Sequence, residues 1–129
     1  MVEATDMAPL WVLSLNIVRA DFIRTRDRFS LRGLVEIHHI IPRQFARHPT
    51  VTRAGFDVED GHNMMFMPST AGGRVLQTHR PVHSGGHPAY NRWVGKELSA
   101  TSPEDLTTLR CYLRGCLRSA MIAPVPWKS

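Results

Sequence analysis

Lysine is nearly missing from this chain: of sixteen basic residues only Lys96 and Lys128 are lysine, and the rest are arginine. The guanidinium fork suits phosphate, and a GC-rich gene would produce the same bias, so the net charge of +5 does not by itself choose a partner. No apolar run approaches the roughly 20 residues that cross a bilayer. The first residues, MVEATDMAPLWVLSLNIVRADF, have no basic start, and Ser14 and Asn16 break their apolar stretch. They do not read as a signal peptide, so a cytoplasmic protein is expected, or one delivered into a target cell by another system. Cysteine is scarce. Cys111 and Cys116, five residues apart in a segment that reads as helix, are expected to be two buried free thiols rather than a ligand pair. Repeats, linkers and low-complexity tracts are absent. At 129 residues, with 43% apolar and 21% charged content, the chain is expected to be one small domain over residues 1–129.

Carboxylates are also sparse where histidine is dense. All seven histidines lie between His38 and His87, a stretch whose only acids are Asp57, Glu59 and Asp60. Many imidazoles and few carboxylates suit a transition-metal-type site better than an oxygen cage.

The elements that carry these histidines follow from spacing. Leu10, Leu13, Ile17, Val18 and Phe22 predict a helix from about Pro9 to Arg28. Its arginine-rich end is either a solvated face or a phosphate-tracking surface. LVEIHHIIP reads as a strand ended by Pro42, and HNMMFMP (His62–Pro68) as a second strand. A Gly-rich loop, STAGGRVLQTHRP, leads to HSGGHPAYNRWVGKEL, which becomes helical at Pro88. Ser102, Pro103, Glu104 and Asp105 open a last helix with a stripe of Leu106, Leu109, Leu113, Leu117 and Met121. The tail PVPWKS reads as irregular. The expected class is α+β, with a central β-β-α unit.

Adjacent strand residues point to opposite faces, so His38 and His39 cannot both hold one metal from a regular strand. One of them can ligate while the other serves as a base. Downstream, His83 and His87 are spaced H-x3-H, a spacing that brings two rings together on one point. Pro88 places His87 at a helix cap.

Taken together, H38-H39-I-I-P, then N63-M-M-F-M-P, then H83-S-G-G-H87-P-A-Y90 resembles the HNH/endonuclease VII superfamily, in particular its AHH family. The resemblance covers about residues 34–98 and implies a small ββα-metal, treble-clef-like core with flanking N- and C-terminal helices. It implies a metal-dependent endonuclease, and the family includes many predicted toxin nucleases. It further implies His38, His83 and His87 as metal ligands, His39 as general base, and Asn63 as the asparagine that holds the loop and orients the base. His48, His62 and His79 match no ligand position. Ile37 departs from the family pattern, where Ala or Gly precedes the histidine pair.

The chemistry agrees with these roles. An imidazole near its ordinary pKa is a suitable base at neutral pH. Three neutral imidazoles favour Zn²⁺ or Ni²⁺ over Mg²⁺, while Mg²⁺ or Mn²⁺ are candidates for turnover. Proximity in sequence nominates Arg80 and Arg74 to steady a phosphate. The expected partner is nucleic acid, DNA before RNA, with an immunity protein if the chain is a toxin, and no membrane. A zinc-stabilised binding module without catalysis is the main alternative, and a hydrolase of small phosphoesters the second.

Overall fold

The computed structural model describes residues 17–120 and 124–128. Among these residues five helices and a two-stranded sheet make an α+β fold. The elements are α1 (Arg19–Arg28), β1 (Val35–His39), α2 (Pro49–Arg53), β2 (Met64–Pro68), α3 (Thr70–Val75), α4 (Pro88–Ser99) and α5 (Leu106–Arg118). Single 3-10 turns at Arg43–Phe45, Gly61–Asn63 and Pro103–Asp105 connect them.

β1 and β2 pair antiparallel, with His38 opposite Met65 and His39 opposite Met64. Alternation along β2 sends Met64 and Phe66 toward Phe22 of α1, where the two phenyl rings meet edge to face at 5.3 Å. Met65 and Met67 face the other way, into a core with Tyr90, Val94 and Leu98 of α4 and four leucines of α5. With both faces covered, all five residues of β2 are buried.

Both strands are shorter than their apolar runs suggest. β1 stops at His39: the Ile40 N–H still bonds the Asn63 carbonyl opposite it (2.7 Å), but the Ile41 N–H is taken by the Asn63 side chain (2.9 Å). His62 and Asn63 belong to a 3-10 turn that the Asp60 carboxylate caps, so β2 begins only at Met64. The helix expected from Pro9 to Arg28 is interrupted within the described residues. Val18 is extended (φ −121°, ψ 165°), and its N–H donates to the Asp21 carboxylate, so α1 starts at Arg19. The Pro9–Asn16 part of the expected helix lies outside the described residues.

The expected Gly-rich loop begins instead as α3. Ser69 caps it by accepting the Gly72 N–H at 3.0 Å. A Cβ on Gly72 would fall 1.8 Å from the Leu34 carbonyl oxygen, so glycine allows α3 to pack directly on the backbone before β1.

α4 opens at Pro88 as expected and buries Tyr90, Val94 and Leu98. α5 buries Leu106, Leu109, Leu113 and Leu117; Met121 is outside the described residues. The cysteines require a correction. Both are free thiols, but Cys111 is exposed and Cys116 only half-buried, because the leucine stripe occupies the inward face of α5. No helix among the described residues is long and apolar enough to cross a membrane.

Candidate metal centre and active site

Three elements converge on one point. His38 is the next-to-last residue of β1, His83 comes from the loop after α3, and His87 from the cap position of α4. The His83 N–H donates to the Pro68 carbonyl at the end of β2 (2.7 Å), which brings the loop alongside the sheet. Gly85 then turns the chain with φ +74°, a conformation that favours glycine. The ring centroids form a nearly equilateral triangle of 5.4, 5.1 and 5.2 Å. One nitrogen from each ring lies within 4.8 Å of the other two.

The donor set fits a divalent transition metal. His38 is 1% exposed, and its Nε2 is buried without a protein hydrogen-bond partner. A buried polar atom left in that state is costly unless something binds it. His87 Nδ1 lies 3.0 Å from Asn91 Oδ1, and Asn91 Nδ2 donates to Gln44 Oε1. An Nδ1–H donated to Asn91 leaves the lone pair on Nε2, the usual arrangement for a ligating imidazole. Burial, followed by the neighbouring His87, His83 and His39, holds His38 well below the ordinary histidine range. His83 is lowered mainly by burial and then by His87, partly opposed by Glu36. Both rings are therefore neutral at pH 7, as ligation requires.

His39 points away from that triangle, as strand alternation demands. Its Nε2 lies 3.1 Å from Glu59 Oε2, and the other Glu59 oxygen accepts from Arg43 Nε at 2.7 Å. Burial alone would raise the Glu59 pKa, but the hydrogen bonds from Arg43 and His39 outweigh it and hold the carboxyl below its ordinary value. An ionised Glu59 accepts a hydrogen bond from the Nε2–H, which fixes the tautomer and leaves the lone pair on Nδ1.

The side-chain hydrogen bonds of Asn63 go to the backbone rather than to His39. Fully buried, it accepts the Ile41 N–H and donates to the carbonyls of Ile41 (2.9 Å) and Val58 (2.8 Å). It thereby ties the chain after β1 to the segment that carries Glu59. The Tyr90 hydroxyl donates to the Ile40 carbonyl on the same stretch, and burial raises its pKa far above the ordinary phenol value.

The cleft is lined by Ile37, His38, His39, Pro42, Arg43, His83 and His87. Arg80 is elsewhere, half-buried with Nη1 donating to the Phe66 carbonyl. Burial, then Arg118 and Arg114, push its pKa down to about 10. Arg74 is exposed in the last turn of α3. His48 caps α2, His62 pairs with Asp60, and His79 is exposed. Glu59 and Arg43 are the site residues that spacing does not reveal, because they lie in the turn-rich connection between the strands, outside any periodic run.

The arrangement can hold one divalent ion beside a carboxylate-oriented imidazole. A family model described as AHH, a nuclease family of the HNH/ENDO VII superfamily with conserved AHH, matches residues 21–111. That span extends beyond the ββα core into α1 and α5. No curated protein and no solved structure matches the chain. Where the family's description has alanine before the histidine pair, Ile37 packs its side chain into the core cluster around Phe22, on the opposite face from His38. The substitution therefore alters packing and leaves the histidine pair intact, and the chain belongs to the AHH nuclease family of the HNH/ENDO VII superfamily.

Proposed function

We propose that these 129 residues act as one nuclease domain, a metal-dependent endonuclease hydrolysing phosphodiester bonds in nucleic acid, DNA before RNA. The observation that carries the reading is the triangle of His38, His83 and His87, with its orphaned buried nitrogen, beside the Glu59-bound ring of His39. A divalent ion on the three histidines, Zn²⁺ or Ni²⁺ for tightest binding and Mg²⁺ or Mn²⁺ as candidates for turnover, supplies Lewis-acid stabilisation of charge on the scissile phosphate and the leaving oxygen.

The chain's own residues do the rest. His39 takes a proton from the attacking water at Nδ1, and Glu59, on Nε2, stabilises the imidazolium that results. Arg43 stands at the cleft rim with its side chain 62% exposed and directs donors to the phosphate, the role that sequence proximity assigns to Arg80 and Arg74. Asn63 and Tyr90 are positioning residues that hold the chain just past His39.

Support for catalysis over a purely structural zinc site comes from the ligand count. Among the described residues the group contains three histidines and no fourth ligand, while structural zinc sites are closed by four. The test is cleavage of plasmid DNA and of RNA by the chelator-treated protein before and after metal is restored. Metal-restored cutting of plasmid, with nitrophenyl phosphates untouched, supports the reading; no cutting of either nucleic acid with any of the four metals contradicts it. A toxin role predicts that the wild type arrests a bacterial host when expressed inside it, while His39→Ala does not.

A further inference from the structure

The segment 124–128 has no regular secondary structure and lies outside the span of the family match, yet it is fastened to the histidine triangle. The Trp127 indole stands 4.7 Å from the His87 ring at an interplanar angle of 35°, and 5.3 and 6.0 Å from the rings of His38 and His83. Its Nε1–H donates to the Val82 carbonyl at 2.9 Å, and its own carbonyl accepts the Tyr90 N–H. The neighbouring Lys128 ammonium donates to the carbonyls of Ser84 and of Gly86, the latter at 2.8 Å. Two side chains of the tail thus hold three alternate carbonyls, at 82, 84 and 86, of the loop that carries His83 and ends at His87.

We propose that Trp127 and Lys128 form a clasp that preorganises the metal-ligating loop, making the tail a positioning element of this metal centre. The inference rests on the reading of His38, His83 and His87 as the ligand set. Gly85 and Gly86 give the loop backbone freedom that must be lost before His83 and His87 can meet one ion. Hydrogen bonds that fix the loop beforehand, with an indole wall against the rings, remove that cost from metal binding. Pro124 and Pro126 restrict the backbone of the strap itself.

Calorimetric Zn²⁺ titration of the full chain tests this, with Trp127→Ala, Trp127→Phe, Lys128→Ala and His83→Ala beside the wild type. Transfer of Zn²⁺ to a chelator and thermal melts of the metal-free proteins accompany it. Trp127→Ala is expected to weaken Zn²⁺ binding by roughly tenfold or more, in the range seen for residues that orient metal ligands. Trp127→Phe restores part of the loss, since the ring wall returns without the N–H. Lys128 is exposed, so Lys128→Ala is expected to leave the metal-free melt unchanged while weakening binding and hastening release. If Trp127→Ala does not fold, Lys128→Ala decides alone. Wild-type affinity and release in the folded variants, with metal lost in His83→Ala, would overturn the clasp and leave the ligand set standing. A wild type that binds no Zn²⁺ would overturn both.

Discussion

Replacing Asn63 with alanine tests how the β1 terminus is held. The side chain is fully buried and makes three hydrogen bonds, to both backbone groups of Ile41 and to the Val58 carbonyl. Each bond contributes about 1 kcal/mol net, and the Ile41 N–H, left buried without a partner, adds a penalty of about 1–3 kcal/mol. The sum, roughly 4–6 kcal/mol, is a large part of the 5–15 kcal/mol that holds an ordinary domain together. For a chain of this size it corresponds to a melting temperature lower by about 15–22 °C. Asn63→Asp should be no better, because it keeps the acceptor for Ile41 N–H but turns a carboxylate toward two carbonyl oxygens. Below the melting transition Asn63→Ala should bind Zn²⁺ more nearly normally than it cuts, since its contacts lie past His39 and not at His83 or His87. Thermal melts and plasmid nicking measure the two effects. A variant melting within about 3 °C of wild type, against the loss worked from these bonds, and cutting at full rate would refute the reasoning.

Three further outcomes follow from the geometry. Glu59→Gln should lower the cleavage rate with little change in Zn²⁺ affinity, because it removes the charge that fixes the His39 tautomer; an unchanged rate would remove Glu59 from the mechanism. Metal-free protein should lose stability as pH falls through the ordinary histidine value near 6.5, where the unfolded chain takes up protons that His38 and His83, both lowered in the fold, do not. Between pH 7.5 and 5 its melting temperature should therefore drop, with a shallower slope in the double variant His38→Ala/His83→Ala; a flat or rising wild-type profile would contradict this. Gly72→Ala should destabilise markedly, since its Cβ would meet the Leu34 carbonyl at 1.8 Å, and a wild-type denaturant midpoint would show that α3 shifts without cost.

The parts of the site that were legible in the sequence are those written in local spacing. Strand alternation separates His38 from His39, and the H-x3-H spacing with Pro88 places His87 at the cap of α4 and His83 in the loop just before it. The two strands and the helices α4 and α5 follow from periodicity, although Asn63 and Asp60 set the strand ends through side-chain bonds that periodicity cannot register. α3 was hidden because two glycines argue against a helix, and only the contact with Leu34 explains Gly72. Glu59 reaches His39 across twenty residues and Arg43 reaches Glu59 across sixteen, separations at which no period operates. Trp127 is 40 residues or more from each histidine of the triangle, and its place beside them is a property of the tertiary fold alone.

The central claim is that holding the metal and moving the proton are separate tasks on adjacent residues of one strand. Its most direct test pairs Zn²⁺ calorimetry with plasmid nicking in His39→Ala and His83→Ala. The account predicts that His39→Ala binds Zn²⁺ as the wild type does but loses cleavage, while His83→Ala loses both. A His39→Ala protein that cuts at the wild-type rate, or a His83→Ala protein that retains wild-type Zn²⁺ affinity, would contradict it.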